Sequence, residues 1–211
     1  KVNFHILLSF SREQVKALNE LAHSYGLQSI ADIKLNDIGS TNFEAVSRLK
    51  SMEFDCIIVN PVMGKDGLYS LVKFAHKLKM GIISVIYMST SYAHQSYGLN
   101  VIVNGKKNQF QTMPLYKLFL HYSIISKVDG LVVGANQTEI IRAASTISLI
   151  PIYSPGVGIQ GGDANEAIKN GSKYIIVGRS VLQSSDPVTK ISKMRNISNE
   201  LTSKVHLLRN S

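Results

Sequence analysis

Cys56-Ile57-Ile58-Val59-Asn60, then Leu68, Leu71, Val72, Ala75 and Leu78 at helical spacing, then Ile82-Ile83-Ser84-Val85-Ile86-Tyr87-Met88: this stretch decides the fold. Two short apolar runs rich in Ile and Val read as strands buried on both faces, and the stripe between them reads as an amphipathic helix. Strand, helix, strand is the unit that joins parallel neighbours, because a parallel pair needs a long crossover. The same alternation continues in both directions. Further strands are read over 30–35, 131–134, 149–153 and 174–177, and residues 1–4 read as the tail of another. One helical stripe is Val15, Leu18, Leu21 and Ala22, behind a capping box at Ser11-Arg12-Glu13-Gln14. A second is Val46, Leu49 and Met52, entered through Thr41-Asn42-Phe43-Glu44, and a third is Leu115, Leu118, Phe119 and Tyr122. The last helix starts at Asp186-Pro187 and carries Val188, Ile191, Met194, Ile197, Leu201, Val205 and Leu208.

Strict alternation of this kind specifies an α/β fold with helices covering a parallel sheet. An open doubly wound sheet that binds a nucleotide would carry a glycine fingerprint after its first strand, and none stands there. A closed (β/α)₈ TIM barrel is therefore expected, as a single domain over residues 1–211. Such a barrel needs eight strands and seven are counted, so a first strand is expected to be missing at the N-terminus. The longest irregular stretch, 89–111, follows a strand and would lie on the catalytic face as a lid or substrate-contacting loop.

Composition narrows the function class. The 211 residues are 45% hydrophobic and 18% charged, enough for a substantial core without disulfides. Cys56 is the only cysteine and sits in an apolar run, which suits a packed thiol in a reducing, cytoplasmic setting. No run approaches the roughly 18 apolar residues of a membrane span, and no secretory leader is expected. The net charge of +9 suits an anionic partner. The basic residues are dispersed, with Lys106-Lys107 the one compact pair, so a small anionic substrate is expected and nucleic acid is not. None of the six histidines is paired at metal-ligand spacing, so no metal site is expected.

The chemistry concentrates in Asp32-Ile33-Lys34-Leu35-Asn36-Asp37. On a strand Asp32 and Lys34 share a face, and both would point into the barrel. A buried ion pair that only fills the barrel is one reading. Its place near the strand's C-terminal end, with Asp37 just beyond, favours the other, a catalytic group. Two more motifs follow. Ser154-Pro155-Gly156-Val157-Gly158-Ile159-Gln160-Gly161-Gly162-Asp163 comes after a strand and opens a helix, an arrangement that lets backbone N–H groups approach an anion. Val177-Gly178-Arg179-Ser180 ends the last strand, where barrels often bind phosphate.

In this order the motifs resemble the orotidine 5′-monophosphate decarboxylase family, in its archaeal and bacterial branch. The resemblance covers nearly the whole chain and includes Ile38-Gly39-Ser40-Thr41-Asn42 and Met88-Ser89. It implies cofactor-free conversion of orotidine 5′-monophosphate to UMP and CO₂ in pyrimidine biosynthesis. Lys34 would be the proton donor in a Lys–Asp–Lys–Asp array made with Lys1, Asp32 and Asp37. The enzyme would be a homodimer with Asp37 and Thr41 contributed across the interface. Ser89 would bond the base and Pro155 border it, while Gln160, Gly178 and Arg179 would hold the phosphate. The charged hexad is shared with magnesium-dependent hexulose-phosphate synthases and keto-gulonate-phosphate decarboxylases, one alternative. A non-catalytic UMP-binding barrel is the other. The sequence departs from the family at Thr90-Ser91-Tyr92, Asn60-Pro61 and Asn136-Gln137, where relatives often have His-Pro-Gly, histidine and arginine.

Overall fold

The computed structural model describes residues 1–104, 110–158 and 160–209, the last nine of these as backbone alone. Lys106-Lys107, Ile159 and the side chains of Leu201, Val205 and Leu208 lie outside the described residues. Seven strands follow each other in one sheet: β1 (Val2–Asn3), β2 (Ile30–Leu35), β3 (Cys56–Val59), β4 (Gly81–Tyr87), β7 (Gly130–Val133), β8 (Ile152–Pro155) and β9 (Tyr174–Ile176). β5 (Asn100–Asn104) and β6 (Phe110–Pro114) form a separate antiparallel hairpin. The main sheet keeps chain order from β1 to β9. A doubly wound sheet reverses its order at a switch point, so this order is that of a barrel wall. Seven of a barrel's eight strands are thus among the described residues. None of their helices is long and apolar enough to cross a membrane.

The chain divides into two compact units. The first comprises residues 1–85 and 118–130. It holds α1 (Phe4–Leu7), α2 (Arg12–Ser24), α3 (Gly39–Ser51), α4 (Lys65–Lys77) and most of α5 (Leu115–Ser126). Its core is Ile57, Ile58, Val59, Leu68, Leu71, Ile82 and Ile83, all buried, drawn from the stretch that opened the sequence reading. Ser11 caps α2 with the expected reciprocal bonds to Gln14. The α2 stripe is only partly used, because Val15 is buried while Leu18 and Leu21 are half exposed. The expected entry to this helix at Thr41 is corrected: α3 begins at Gly39, which puts Thr41 inside the first turn.

Two histidine–aspartate pairs fasten the N-terminal ends of the strands in this unit. His23, in the last turn of α2, lies 2.9 Å from Asp55 Oδ2, which also accepts the Ser29 N–H at 2.7 Å. His76, in the last turn of α4, stands 2.9 Å from Asp129 Oδ2, which accepts the Ile82 N–H at 2.7 Å. Partial burial alone would raise the Asp55 carboxyl, but the Ser29 N–H and His23 outweigh it and hold it below its ordinary value. A depressed carboxyl stabilises the fold above its unfolded pKa, and that stabilisation is lost as pH falls through the folded value. Asp55→Ala should therefore cost about 1–3 kcal/mol in urea unfolding at pH 7, with the difference shrinking below about pH 4. An equal cost at both pH values would mean that the charge is irrelevant.

The second unit comprises residues 86–117 and 131–211, with α6 (Thr138–Ile147), α7 (Ala164–Lys169), α8 (Arg179–Leu182) and α9 (Pro187–Arg209). Two expectations are corrected here. The strand read over 149–153 lies at Ile152–Pro155, and Leu149 is fully exposed. Pro151 has no N–H to give a ladder, so pairing starts after it. The stretch 89–111 is not irregular throughout, since it contains a 3-10 turn at Ala93–Gln95 and most of the hairpin. The hairpin's base is fixed by Tyr116 N–H to Tyr97 O at 2.9 Å and by the ring contacts of Tyr87 with Tyr97 and Tyr116. Asp186 caps α9 through Thr189 N–H at 3.0 Å, as the sequence indicates.

Candidate active site

In the first unit, parallel pairing sets Asn3 directly against Asp32, and Val2 against Ala31. Paired residues point to the same side of a sheet, and so do residues two apart on one strand. Lys1, Asn3 and Asp32 therefore converge. Lys1 Nζ donates to Asp32 Oδ2 at 2.9 Å and also to Asn3 Oδ1. Lys34 Nζ donates to the other carboxylate oxygen, Asp32 Oδ1, at 2.7 Å. Asp32 is nearly buried, its side chain 10% exposed, against 20% for Lys1 and 38% for Lys34. Burial would raise its carboxyl, but bonds from Lys34 and Lys1 overcome that and hold it below the ordinary range.

Simple alternation does not aim Lys34. Asp32 pairs with Ile58 and Leu35 with Val59, so Ile33 and Lys34 bulge from the ladder. Lys34 has φ +48°, in the left-handed region that L side chains avoid. The bulge re-aims the side chain, and the strain sits on the residue expected to do the chemistry. Within a strand glycine normally destabilises relative to alanine by about 0.5–1 kcal/mol. At position 34 that order should invert, with Lys34→Gly more stable than Lys34→Ala by about 1 kcal/mol in chemical unfolding. Equal or reversed stabilities would remove the strain.

Asp37 is exposed beyond the strand and pairs with no cation among the described residues. Its Oδ1 accepts the Ile38 N–H at 2.6 Å. Asn42 braces the turn, accepting the Asp37 N–H at 3.0 Å and donating to the Asp37 carbonyl at 2.6 Å. Thr41 is exposed beside it.

In the second unit, Ser89 follows β4 and its hydroxyl donates to Gln160 Oε1 at 2.8 Å. Gly156, with φ +91°, makes this contact possible: a Cβ there would stand 2.5 Å from Ser89 Cβ. The loop closes through Gly162 N–H to Gly156 O and Gly158 N–H to Gly162 O. Pro155 ends β8 half-buried, its carbonyl accepting the Ala135 N–H at 2.8 Å. The expectation that α7 offers free N–H groups is corrected. Asp163 already accepts from Asn165 and Glu166 N–H at 2.6 and 3.2 Å. At Gly178 and Arg179, by contrast, α8 starts with no side-chain cap and Arg179 is exposed. Arg179 makes no ion pair among the described residues. Gly178 has open space where a Cβ would stand.

The orotidine 5′-phosphate decarboxylase / HUMPS family model matches residues 1–194. The chain belongs to that family. It is 32% identical to the orotidine 5′-phosphate decarboxylase of Thermoplasma volcanium over all 211 residues, covering 86% of that protein. It is 28% identical to the Methanocaldococcus jannaschii enzyme over 202 residues, 95% of this chain and 86% of that protein. The crystal structure of the M. jannaschii orotidine 5′-monophosphate decarboxylase complexed with inhibitor BMP matches with a TM-score of 0.77 at 28% identity. That match covers 94% of this chain and 85% of the other. The Metallosphaera sedula orotidine 5′-monophosphate decarboxylase structure gives 0.73 at 27%, covering 95% and 86%. The fold is accordingly the (β/α) barrel of the orotidine 5′-phosphate decarboxylase family.

Of the residues that the sequence singles out, Lys1, Asp32 and Lys34 are in direct contact, as are Ser89 and Gln160. Asp37 makes no ion pair with a lysine among the described residues. Sequence reasoning missed three asparagines, Asn3, Asn42 and Asn136. The last donates to the Ser89 carbonyl at 3.3 Å, at a position where family members often carry arginine nearby. Asn3 had a signal, two residues from Lys1 on the same strand face; the Asn42 and Asn136 contacts depend on turns that no periodicity reveals.

Proposed function

We propose that this chain is a cofactor-independent orotidine 5′-monophosphate decarboxylase that forms UMP and CO₂. The observation that carries the reading is Asp32 held between two ammonium groups, with only one of the Lys34 N–H groups engaged among the described residues. The C6–carboxylate bond breaks, its electron pair stays on C6, CO₂ leaves, and Lys34 delivers a proton to C6. The ammonium offsets the developing carbanion charge before it transfers the proton. Asp32 lies against the departing carboxylate and disfavours the ground state. Solvent then returns a proton to the Lys34 amine.

The family resemblance assigns the remaining contacts. Ser89 bonds the pyrimidine and Pro155 borders it. Gln160, the Gly178 N–H and Arg179 hold the phosphate, whose binding energy is available at the reacting carbon. The enzyme acts as a homodimer, Asp37 and Thr41 reaching the partner's site; that Asp37 is exposed and pairs with no cation among the described residues supports this. A magnesium-assisted reaction fits the array less well, because both Asp32 oxygens already accept from ammonium groups.

Loss of the orotate chromophore on mixing with orotidine 5′-monophosphate in excess chelator tests the reading. Turnover that stops with the chelator, or tight UMP binding without turnover, would overturn it. Arg179→Ala should weaken UMP by about 1.5–3 kcal/mol in calorimetric titration and leave uridine almost unchanged. Equal losses for nucleotide and nucleoside would make Arg179 structural.

A further inference from the structure

We propose that Asn3 is a positioning residue for decarboxylation, holding the Lys1 ammonium against Asp32. The proposal rests on the charged-array reading above and deepens it. Three observations converge on Asn3. Pairing of β1 with β2 sets it opposite Asp32, on the same side of the sheet. Its side-chain oxygen accepts from Lys1 Nζ, which also donates to Asp32. It occupies the N-cap of α1, where asparagine is among the best capping residues, yet its side chain makes no capping bond. The carboxamide is turned away from the helix it could cap and towards the lysine.

The two lysines are therefore not equivalent. Lys1 is held at two points, by a carboxylate and by an amide, and Lys34 at one. A doubly held Lys1 keeps Asp32 Oδ2 occupied and fixes the carboxylate plane. Asp32 then presents Oδ1 to Lys34 in a constant direction. Without Asn3, Lys1 could swing about its remaining bond and Asp32 would turn with it. Asn3 needs no contact with substrate for this role, so its loss should appear in kcat more than in KM.

The test uses Asn3→Ala, Asn3→Ser, Lys1→Met and the Asn3→Ala/Lys1→Met double variant of the full chain, with kcat, KM and thermal midpoint measured for each. Serine caps helices but is too short to hold Lys1. Asn3→Ala should lower kcat roughly ten- to hundredfold, the range for one charge-assisted hydrogen bond, with KM and midpoint nearly unchanged. Asn3→Ser should be no better. In the Lys1→Met background, Asn3→Ala should cost nothing more, because coupled residues are non-additive. Recovery of kcat or of a lowered midpoint by serine would identify a cap and overturn the proposal, as would losses that multiply. If Lys1→Met itself turns over normally, the array reading fails and the proposal fails with it. A damaging Lys1→Met beside a harmless Asn3→Ala sinks the Asn3 proposal alone.

Discussion

Lys34→Ala is expected to lose kcat by roughly 10⁴-fold or more while still binding UMP. The loss combines a missing general acid with a missing cation beside a developing carbanion, and each contributes a factor of about 10²–10⁴. UMP has no C6 carboxylate and gains little from the ammonium, so its affinity should change far less than turnover. Removing Lys34 also leaves Asp32 with Lys1 as its one remaining cation among the described residues. The nearly buried carboxyl should then titrate higher than in the parent protein. Single-turnover kinetics and UMP titration of the same preparation provide the check. Turnover within tenfold of the parent would take Lys34 out of the mechanism.

The second large effect is a rescue. Lys34→Ala and Asp37→Ala should each be nearly inactive alone, and mixing followed by reassembly should restore activity. If Asp37 reaches the partner's site, a mixed dimer has one site carrying both defects and one carrying neither. Random pairing makes about half of the dimers mixed, so roughly one quarter of all sites should be intact. If Asp37 serves its own chain, every site keeps a defect and mixing restores nothing. Mixed dimers shown to have formed, with activity no higher than the separate variants, would refute the shared site.

The barrel wall is legible because strand and helix periods differ and the central strands β3, β4 and β7 are buried on both faces. Ile57, Ile58 and Val59 leave no other role for such a run. The hairpin is not legible from periodicity, although Val101-Ile102-Val103 is a short β-branched run. Its alternation is short, both faces are largely exposed, and polar neighbours mask it. The Asp32–Lys34 contact was anticipated by strand alternation, but the structure achieves it differently, through a bulge with a left-handed lysine. Alternation counts residues and has no way to register one that leaves the ladder. The Ser89–Gln160 contact joins positions far apart in sequence, and only the family resemblance put both at one ligand.

The left-handed backbone of Lys34 bears on when the work of alignment is done. A lysine on a regular strand would have many rotamers to search before its ammonium met the carbon, and each catalytic cycle would repeat that search. Here the bent main chain sets where the side chain starts and the bond to Asp32 Oδ1 limits its rotamers, so the penalty is settled once, when the protein folds. In the proposed reaction the ammonium then needs little reorganisation, so the entropy of activation should be small and the barrier mainly enthalpic.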